Sequence, residues 1–397
     1  MEYALDNIRV LDLSRVLAGP YCTMTLADLG AEVIKVEMPV NGDDSRAFGP
    51  YIGDESAYFM CLNRNKKSIV LNLKKEEGKE ALKRLVPHMD VVIENFRPGT
   101  MEKLGIGYDV LREINPMLIF ASTSGFGQNG PYTNRPAYDG VVQAMGGIMS
   151  ITGQKGGGPT RVGPSVGDIT SGIFTAIGIL AALNRRTVDG IGSKIDVSML
   201  DCQVAILENA VARYFATGTS PEPEGNRHAS IVPFEPFETS DGSLMIAAGN
   251  DAIWSKFCAL LGKEEWIHDE RFQTNPLRNR HHAELKVMIQ EIIQLKTTDE
   301  WQNIFINGGI PCGPINTIEQ VVMDPQVQAR NMIQTVEHPV AGAVHMPGIP
   351  IKISGCNDQI RTPSPVLGEH TVQVLTHLGG YSTEELNKLR ERKVVDY

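Results

Sequence analysis

The chain has 397 residues, of which 42% are apolar and 21% charged, and its formal net charge at pH 7 is −10. This length exceeds what one compact core usually holds, so we expect two domains. The acidic balance argues against a general nucleic-acid surface, and we expect no apolar run long enough to cross a bilayer and no signal peptide, hence a cytoplasmic protein. The six cysteines are scattered without a CxxC pair, which favours buried thiols over a metal site or disulfides.

The first half of the chain alternates short apolar strands with helices. Helices are predicted over Pro20–Gly30, with proline first and glycine last, and over Lys75–Pro87. The alternation predicts an α/β fold, a Rossmann-like parallel sheet wrapped by helices. The turn after the first strand reads SRVLAGP and not GxGxxG, which argues against a dinucleotide cofactor. The predicted strands are Arg9–Leu13, Glu32–Glu37, Ser68–Leu73, Val91–Glu94 and Leu118–Ser122.

A glycine-bracketed segment, PTRVGPSVGDITSG at 159–172, delivers Asp168 into the start of an apolar helix predicted over Ile169–Arg186. An aspartate in this place most often caps the helix by accepting hydrogen bonds from its first turn. The alternative is a carboxylate exposed for chemistry, and position alone does not separate the two.

After a predicted helix at Ser198–Thr217, the segment Gly218–Asn226 contains two prolines, two glycines and two glutamates, which predicts a domain boundary. Strands at Ile231–Glu238 and Ser243–Ala248, joined by an Asp-Gly turn, precede helices near 251–262, 280–296 and 299–306. These elements predict a smaller α+β domain over 218–325. Two amphipathic helices near 368–378 and 382–392 end the chain.

Several long motifs in a fixed order run nearly end to end, and they resemble the class III coenzyme A transferases, the family of formyl-CoA, carnitine-CoA and succinyl-CoA:dicarboxylate transferases. The segment NRHASIVPFEPF resembles the succinyl-CoA:dicarboxylate branch most. The motifs are RVLDLSRVLAGPYCTMTLADLGAEVIKVE (9–37), NRNKKSIVLNL (63–73), VVIENFRPGTMEKLGIGYD (91–109), SGFGQNGPYTNRPAYDG (124–140), the Asp168 segment, NRHASIVPF (226–234), GIPCGPIN (309–316) and LGEHT (367–371).

The resemblance implies that Asp168 is a nucleophile, which takes the acyl group from a CoA thioester as a mixed anhydride and then forms an aspartyl-CoA thioester. An aspartate with its ordinary pKa near 4 is ionised at neutral pH and needs no adjacent base. The leading hypothesis is CoA transfer from a donor such as succinyl-CoA to a carboxylic acid, expected to be a dicarboxylate. CoA thioesters are then substrates, and no permanently bound cofactor or metal is expected.

Matching the family's CoA contacts onto this sequence gives a set of residues after the predicted strands, where an open α/β sheet presents ligands. The alternative for Lys74 and Lys103 is that they are solvated helix charges, the commoner case for a lone lysine. Met38 replaces an arginine that the formyl-CoA branch uses at the adenine. The predicted CoA-binding residues are Leu17, Ala18, Leu71 to Lys74, Asn95, Phe96, Arg97, Lys103 and Tyr138.

Tyr138 separates two activities of this superfamily, because acyl-CoA racemases carry a histidine at the matching position. A tyrosine with a pKa near 10 is a poor general base, which favours a transferase. Tyr138 is alternatively an aromatic packed at a helix start, and Asp139 is expected to cap a helix. A noncatalytic CoA-binding subunit is a third interpretation, which the presence of Asp168 argues against.

Two residues are candidates for holding the acceptor carboxylate. Arg46 could bind it bidentately, and His228 could donate one hydrogen bond. Alternatively, Arg46 pairs with a nearby carboxylate such as Asp43, and His228 caps a turn. The resemblance further implies that 326–397 returns to complete the large domain begun by 1–217, and that two subunits interlock as a homodimer, with a related partner chain as the alternative.

Overall fold

A computed structural model describes residues 2–397 as an alternation of strands and helices. The strands are β1 (Arg9–Asp12), β2 (Glu32–Glu37), β3 (Tyr51–Ile52), β4 (Glu55–Ser56), β5 (Lys66–Val70), β6 (Val91–Glu94), β7 (Ile119–Ser124), β8 (Lys194–Ser198), β9 (Phe234–Glu238), β10 (Ser243–Ala247), β11 (Cys312–Pro314), β12 (Ile333–His338) and β13 (Gly342–Pro347).

The helices cover the rest of the regular structure, with short 3₁₀ helices at Asp44–Ala47, Val86–His88 and Glu264–Ile267. They are α1 (Ala18–Asp28), α2 (Ala57–Leu62), α3 (Glu76–Leu85), α4 (Thr100–Lys103), α5 (Tyr108–Ile114), α6 (Asp139–Met145), α7 (Ile148–Ile151), α8 (Val166–Asp189), α9 (Met199–Ala205), α10 (Asn209–Thr217), α11 (Asp251–Leu260), α12 (Asn275–Arg280), α13 (His282–Ile293), α14 (Thr298–Gly308), α15 (Ile318–Met323), α16 (Pro325–Ala329), α17 (Thr371–His377) and α18 (Thr383–Glu391).

The central feature is a six-stranded sheet in the order β5-β2-β1-β6-β7-β8. All its neighbouring strands are parallel, with Val10 of β1 paired to Val33 of β2 and Val91 of β6. The predicted α/β fold with a parallel sheet is therefore confirmed. The sequence analysis did not predict β8, because its residues KIDVS alternate between polar and apolar and do not form a continuous apolar run.

Helices cover both faces of this sheet. Successive side chains along each strand point to opposite faces, and they therefore pack in different cores. On β1, Leu11 packs in the core that contains residues of α3, α17 and α18. Its neighbour Val10 packs on the other face, in the core that contains residues of α1 and α8. Both faces are thereby removed from water, which explains the Val- and Ile-rich strands.

Helices α1 and α8 pack unusually closely, and Gly172 makes this possible. A Cβ atom on Gly172 would lie 2.7 Å from the backbone oxygen of Ala18, closer than real Cβ contacts allow. This contact brings the first turn of α8 beside the start of α1. The loop after β1 and the segment around Asp168 are thus brought to one place.

The chain divides into two compact units. The first includes the chain up to Met149, Arg161–Thr219 and Pro325–Tyr397, and it contains the parallel sheet. The second includes Ser150–Thr160 and Ser220–Asp324, with the antiparallel sheet β11-β10-β9 around a core that contains Trp254, Phe257 and Phe305. Ser150–Thr160 groups with this second unit, whereas the sequence analysis assigned it to the large domain.

Two expectations about helices need correction. The single helix predicted at Ser198–Thr217 is two helices, α9 and α10, and Glu208 between them has a positive φ of 51°. The expectation that no apolar run is long enough for a bilayer is also wrong by length and composition, since α8 passes that test. This is weak evidence for a membrane span, because a core helix of a soluble protein passes it too, and α8 packs on the parallel sheet.

Candidate functional site

Two cavities lie along the edge of the parallel sheet where its strands end. The larger, of about 820 Å³, is lined by residues that follow β1, β2, β5 and β6. The smaller, of about 210 Å³, is lined by residues that follow β1, β6 and β7. Ligands of open α/β sheets bind at this edge, near the point where the strand order reverses, which here lies between β1 and β6.

The loops after β1 and β6 are fastened to each other at this reversal. The Asn95 side chain donates to the backbone oxygen of Arg15 at 2.7 Å and accepts from the backbone N–H of Arg15 at 2.8 Å. Arg15 and Phe96 line both cavities, and the guanidinium lies 5.6 Å from the ring centroid. The two cavities therefore adjoin, separated by this stacked pair, and Arg15 is further held by Asp44 at 3.2 Å.

A buried ion pair supports the turn that follows Arg15. Val16 has a φ of +66°, which is a strained conformation for a β-branched residue. Its N–H donates to both carboxylate oxygens of Asp43, at 3.1 and 3.3 Å. Asp43 in turn pairs with Lys35 at 2.7 Å with both side chains fully buried, which holds the pKa of Asp43 well below its usual range. The buried ion pair of Asp43 and Lys35 thus stabilises the strained backbone of Val16.

Asp168 lies in the wall of the smaller cavity, as the third residue of α8. It does not cap the helix, since Ser165 occupies that position, so the helix begins three residues before the predicted start. Its carboxylate has no hydrogen-bond partner among residues 2–397. Burial raises its pKa to about 7, with a further increase from the Asp139 carboxylate and a partial decrease from Arg161. Asp168 is therefore only partly ionised at neutral pH, unlike the sequence-based expectation.

Asp139, the first residue of α6, holds the beginning of α8 in place. It accepts from the backbone N–H of Gly167 at 2.9 Å and from the Gln143 side chain at 2.8 Å. It also pairs with Arg161 at 2.8 Å and is nearly fully buried. Asp139 thus satisfies a first-turn N–H of α8, as a cap would, but it reaches that helix from a different one.

The backbone N–H of Asp168 itself has no acceptor in the part of the chain that the structure describes. In the first turn of α8, the N–H of Gly167 is taken by Asp139 and that of Ile169 by the Ser165 oxygen at 2.9 Å. Free N–H groups at a helix start stabilise negative charge. This unpaired donor belongs to the same residue as the carboxylate that has no hydrogen-bond partner.

Most of the predicted CoA-binding residues lie in the walls of these cavities. Arg97 and Lys74 are exposed at the cavity mouths, and Tyr138 is 78% exposed. Lys103 lies exposed at the end of α4 and is in neither cavity wall. The smaller cavity contains Leu17, Ala18, Asn95, Phe96, Arg97 and Tyr138 with Asp168, and the larger contains Leu71 to Lys74 and again Phe96.

The structure argues against an acceptor-binding role for Arg46, and the partner is not Asp43. Arg46 makes two hydrogen bonds of 2.8 Å to the buried carboxylate of Glu37 and lies 3.7 Å over the Phe59 ring. It also donates to the backbone oxygen of Pro365 at 3.1 Å. Its Nε and Nη2 atoms are occupied and Nη1 lies 3.8 Å from Glu55, and the sequence could not show this because Glu37 lies in a strand nine positions away.

His228 lies in the second unit, where it organises a turn. Its Nδ1 accepts from the backbone N–H groups of Ser230 and Ile231, both at 3.1 Å. Its ring stacks on Phe234 at 5.2 Å between centroids. This geometry matches the structural alternative for His228, and it leaves Nε2 as the ring atom able to donate elsewhere.

Several residues of the cavities were missed by the sequence analysis. Arg15 and Arg135 line the smaller cavity, and Arg390 and Lys393 of the C-terminal segment line the larger. Arg15 lies in the loop after β1, a position that could have identified it. Nothing local marks Lys393, which reaches the cavity only through contacts more than 300 positions away in sequence. Among residues 2–397, no group of three or more His, Cys, Asp or Glu is placed to hold a metal ion.

Comparisons with known proteins agree with this architecture. Residues 5–371 match the family described as CoA-transferase family III. A succinyl-CoA:glutarate CoA-transferase of Homo sapiens is 38% identical, covering 99% of this chain and 90% of its own, and an acetyl-CoA:oxalate CoA-transferase of Acetobacter aceti is 44% identical, covering 92% and 93%. The crystal structure of a CAIB/BAIF family protein from Brucella suis superposes with a TM-score of 0.84 at 40% identity, over 95% of this chain and 100% of that one.

Proposed function

Because this chain belongs to CoA-transferase family III and is an enzyme, we propose that it moves CoA from an acyl-CoA donor to a carboxylic acid through Asp168. The observation that carries the proposal is the position of Asp168. It is a half-buried carboxylate without a hydrogen-bond partner among the described residues, in a cavity that adjoins a larger one suited to a long ligand.

The proposed reaction begins when a carboxylate oxygen of Asp168 attacks the thioester carbonyl and the CoA thiolate leaves. The resulting mixed anhydride is attacked by the thiolate at the Asp168 carbonyl, which gives an aspartyl-CoA thioester and releases the donor acid. The acceptor carboxylate then displaces the thiolate to form a second anhydride, and the thiolate attacks the acceptor carbonyl. Acceptor-CoA leaves, Asp168 is a carboxylate again, and neither water nor a net proton is consumed.

The geometry supports this sequence in two ways. The N–H of Asp168 has no acceptor among the described residues, and we infer that it stabilises negative charge on the carbonyl oxygen of the anhydride or thioester, as an oxyanion hole does. The larger cavity, within the size range of cofactor sites, adjoins the reactive carboxylate, so the nucleotide end of CoA can lie there while the thioester reaches Asp168.

We further propose succinyl-CoA as the donor and a dicarboxylate as the acceptor. Three arginines line the smaller cavity, Arg15, Arg97 and Arg135, and guanidinium groups bind carboxylates bidentately. Such a set suits an acid that keeps a second carboxylate while the first reacts. The human relative named above acts on succinyl-CoA and glutarate, and the Acetobacter aceti relative is named for acetyl-CoA and oxalate.

The proposal is tested by product analysis. Purified protein is incubated with succinyl-CoA and a panel of acids that includes glutarate, malate, itaconate, oxalate and carnitine, and new CoA esters are identified by mass spectrometry. We expect a new dicarboxyl-CoA ester, its loss in Asp168→Asn, and its retention in Asp189→Asn, which changes an aspartate at the other end of the same helix. An ester formed equally well by Asp168→Asn refutes the role of Asp168.

A cytoplasmic homodimer, in which two subunits interlock, completes the proposal. The exposed side of α8 carries Ile173, Phe174 and Ile177, which are 41%, 38% and 54% exposed, and a second copy of the chain would remove this apolar surface from water. Sedimentation velocity should then give a species of twice the 43.5 kDa chain mass. A purely monomeric active enzyme contradicts the interlocked arrangement.

A further inference from the structure

The C-terminal segment, defined here as residues 390–396, forms one wall of the larger cavity. Arg390, Lys393, Val395 and Asp396 line it together with the residues that follow β2. The segment consists of the last two residues of α18 and the five residues that follow it, and it is far in sequence from every other residue of the cavity. Its side chains therefore line the cavity in addition to the residues that follow the strands.

Backbone hydrogen bonds fix this segment to the loop after β5. The N–H of Asn72 donates to the oxygen of Val394 at 2.8 Å, and the Asn72 side chain donates to the oxygen of Lys393 at 3.3 Å. The Lys75 ammonium donates to the oxygen of Arg392. Val394 and Val395 are buried in the core beneath the sheet. The wall is thus anchored, and Lys393 lies beside the loop that carries Lys74.

Lys393 has a strained backbone. Its φ is +54°, in the left-handed region where glycine is unstrained and a lysine is disfavoured. Its backbone neighbours are already held by hydrogen bonds and burial, so the fold itself does not need a side chain here. This left-handed turn ends α18, since the N–H of Lys393 donates to the oxygen of Arg390 and the N–H of Val394 to the oxygen of Leu389. The side chain it places lines the cavity.

The charges around the cavity leave two ammonium groups unpaired. Asp43 is neutralised by Lys35, and Glu37 by Arg46. Asp396 lies 3.6 Å from Arg390. Lys74 and Lys393 have no carboxylate partner within the described part of the chain. The acidic side chains of the wall are therefore compensated, and the cavity presents net positive charge beside its apolar residues, which include Met38, Leu73 and Phe96.

We propose that Lys393, together with Lys74, binds a phosphate group at the adenosine end of the CoA thioester. A cavity that combines apolar walls with two unpaired ammonium groups fits a phosphorylated nucleoside. This inference rests on the proposed function, since it takes CoA as the ligand. It makes Lys393 a substrate-binding residue that determines selectivity for phosphorylated CoA, contributed by the C-terminal segment.

Lys393→Gly is the informative variant, because it removes the ammonium group and relieves the backbone strain at the same position. Lys388→Gln is the matched control, since it removes one positive charge from an exposed residue of α18 whose partner is Glu384. The probe is adenosine 3′,5′-bisphosphate, titrated calorimetrically into the full-length protein without any acyl donor. We expect Lys393→Gly to bind about tenfold more weakly than wild type, the loss of one charge-assisted hydrogen bond.

The melting temperature of Lys393→Gly should equal or exceed that of wild type, while Lys388→Gln should leave affinity unchanged. Unaltered binding by Lys393→Gly, or equal weakening by both variants, overturns the inference. Because no turnover is involved, a wild-type protein that binds the bisphosphate but transfers no CoA refutes the proposed function alone. A wild-type protein that does not bind it refutes the inference.

A second comparison identifies the phosphate. The KM of Lys393→Gly is measured with succinyl-CoA and with 3′-dephospho-succinyl-CoA, relative to wild type. A rise in KM with the first substrate alone assigns Lys393 to the 3′-phosphate, and an equal rise with both assigns it to the diphosphate. A KM unchanged with both substrates overturns the inference.

Discussion

At the scale of residues, the site depends on one carboxylate being kept uncompensated while its neighbour is neutralised. Asp139 and Asp168 lie close enough for Asp139 to raise the pKa of Asp168, yet Arg161 pairs with Asp139 and not with Asp168. The result is a carboxylate with little stabilisation of its charge, which supports the nucleophilic role proposed for Asp168. A weakly stabilised carboxylate is more reactive toward a carbonyl than one held in an ion pair.

This arrangement predicts a pH dependence. With its pKa raised to about 7, Asp168 loses its charge below neutrality, so kcat/KM should fall about tenfold per pH unit there. Asp139→Asn removes the neighbouring charge but keeps an oxygen that can accept from Gly167, so its pH profile should shift to lower pH. Asp109→Asn, an exposed carboxylate on α5, serves as the control. An Asp139→Asn profile that coincides with wild type would contradict this account.

The same pKa has a consequence for stability. Because the pKa of Asp168 in the folded protein is above its ordinary value of 3.8, ionisation is easier in the unfolded chain. Stability of the folded state therefore decreases as the pH rises from about 4 to about 7, and the loss is complete above that. Asp168→Asn should melt at a higher temperature than wild type at pH 8, and the difference should vanish near pH 4.

At the scale of elements, the sequence predicted the strands of the sheet better than the contacts of its loops. The limits of β2 and β6 agree with the predicted ones, since continuous apolar runs between helices mark buried parallel strands. The pairing of Arg46 with Glu37 and the bond between Asp139 and α8 could not be predicted. Each of these two contacts joins residues that the packing of the sheet and the helices brings together, and no local sequence pattern shows such a contact.

The contact between α1 and α8 gives a prediction at this scale. In Gly172→Ala, the added methyl group meets the backbone oxygen of Ala18, so the helices must separate, at a cost of about 1–3 kcal/mol in unfolding free energy. Activity should fall too, because the separation moves Asp168 from the loop after β1. Gly140→Ala in α6, where nothing lies within 4 Å of the new Cβ, is the control. Chemical denaturation gives the unfolding free energy of each variant. Equal stability of Gly172→Ala and Gly140→Ala would contradict the packing argument.

At the scale of the whole molecule, the large unit is built from three stretches of chain, and the last of these completes the cavity at the edge of the sheet. The sequence assigned 326–397 to the large domain from family resemblance. It did not indicate that residues 390–396 would form a cavity wall, because a short segment after an amphipathic helix carries no local sign of its partner. Sequence therefore predicted the strand ends and put Asp168 forward as the candidate nucleophile, while the wall formed by residues 390–396 could be found only from the fold.

The central claim is that Asp168 carries CoA covalently during transfer. The most direct measurement incubates the protein with succinyl-CoA in the absence of an acceptor, digests it under acidic conditions, and analyses the peptide containing Asp168 by mass spectrometry. We predict a peptide heavier by CoA less one water, absent in Asp168→Asn and discharged when the acceptor acid is added. Catalytic transfer with no such adduct, or an adduct on a different residue, would contradict the account.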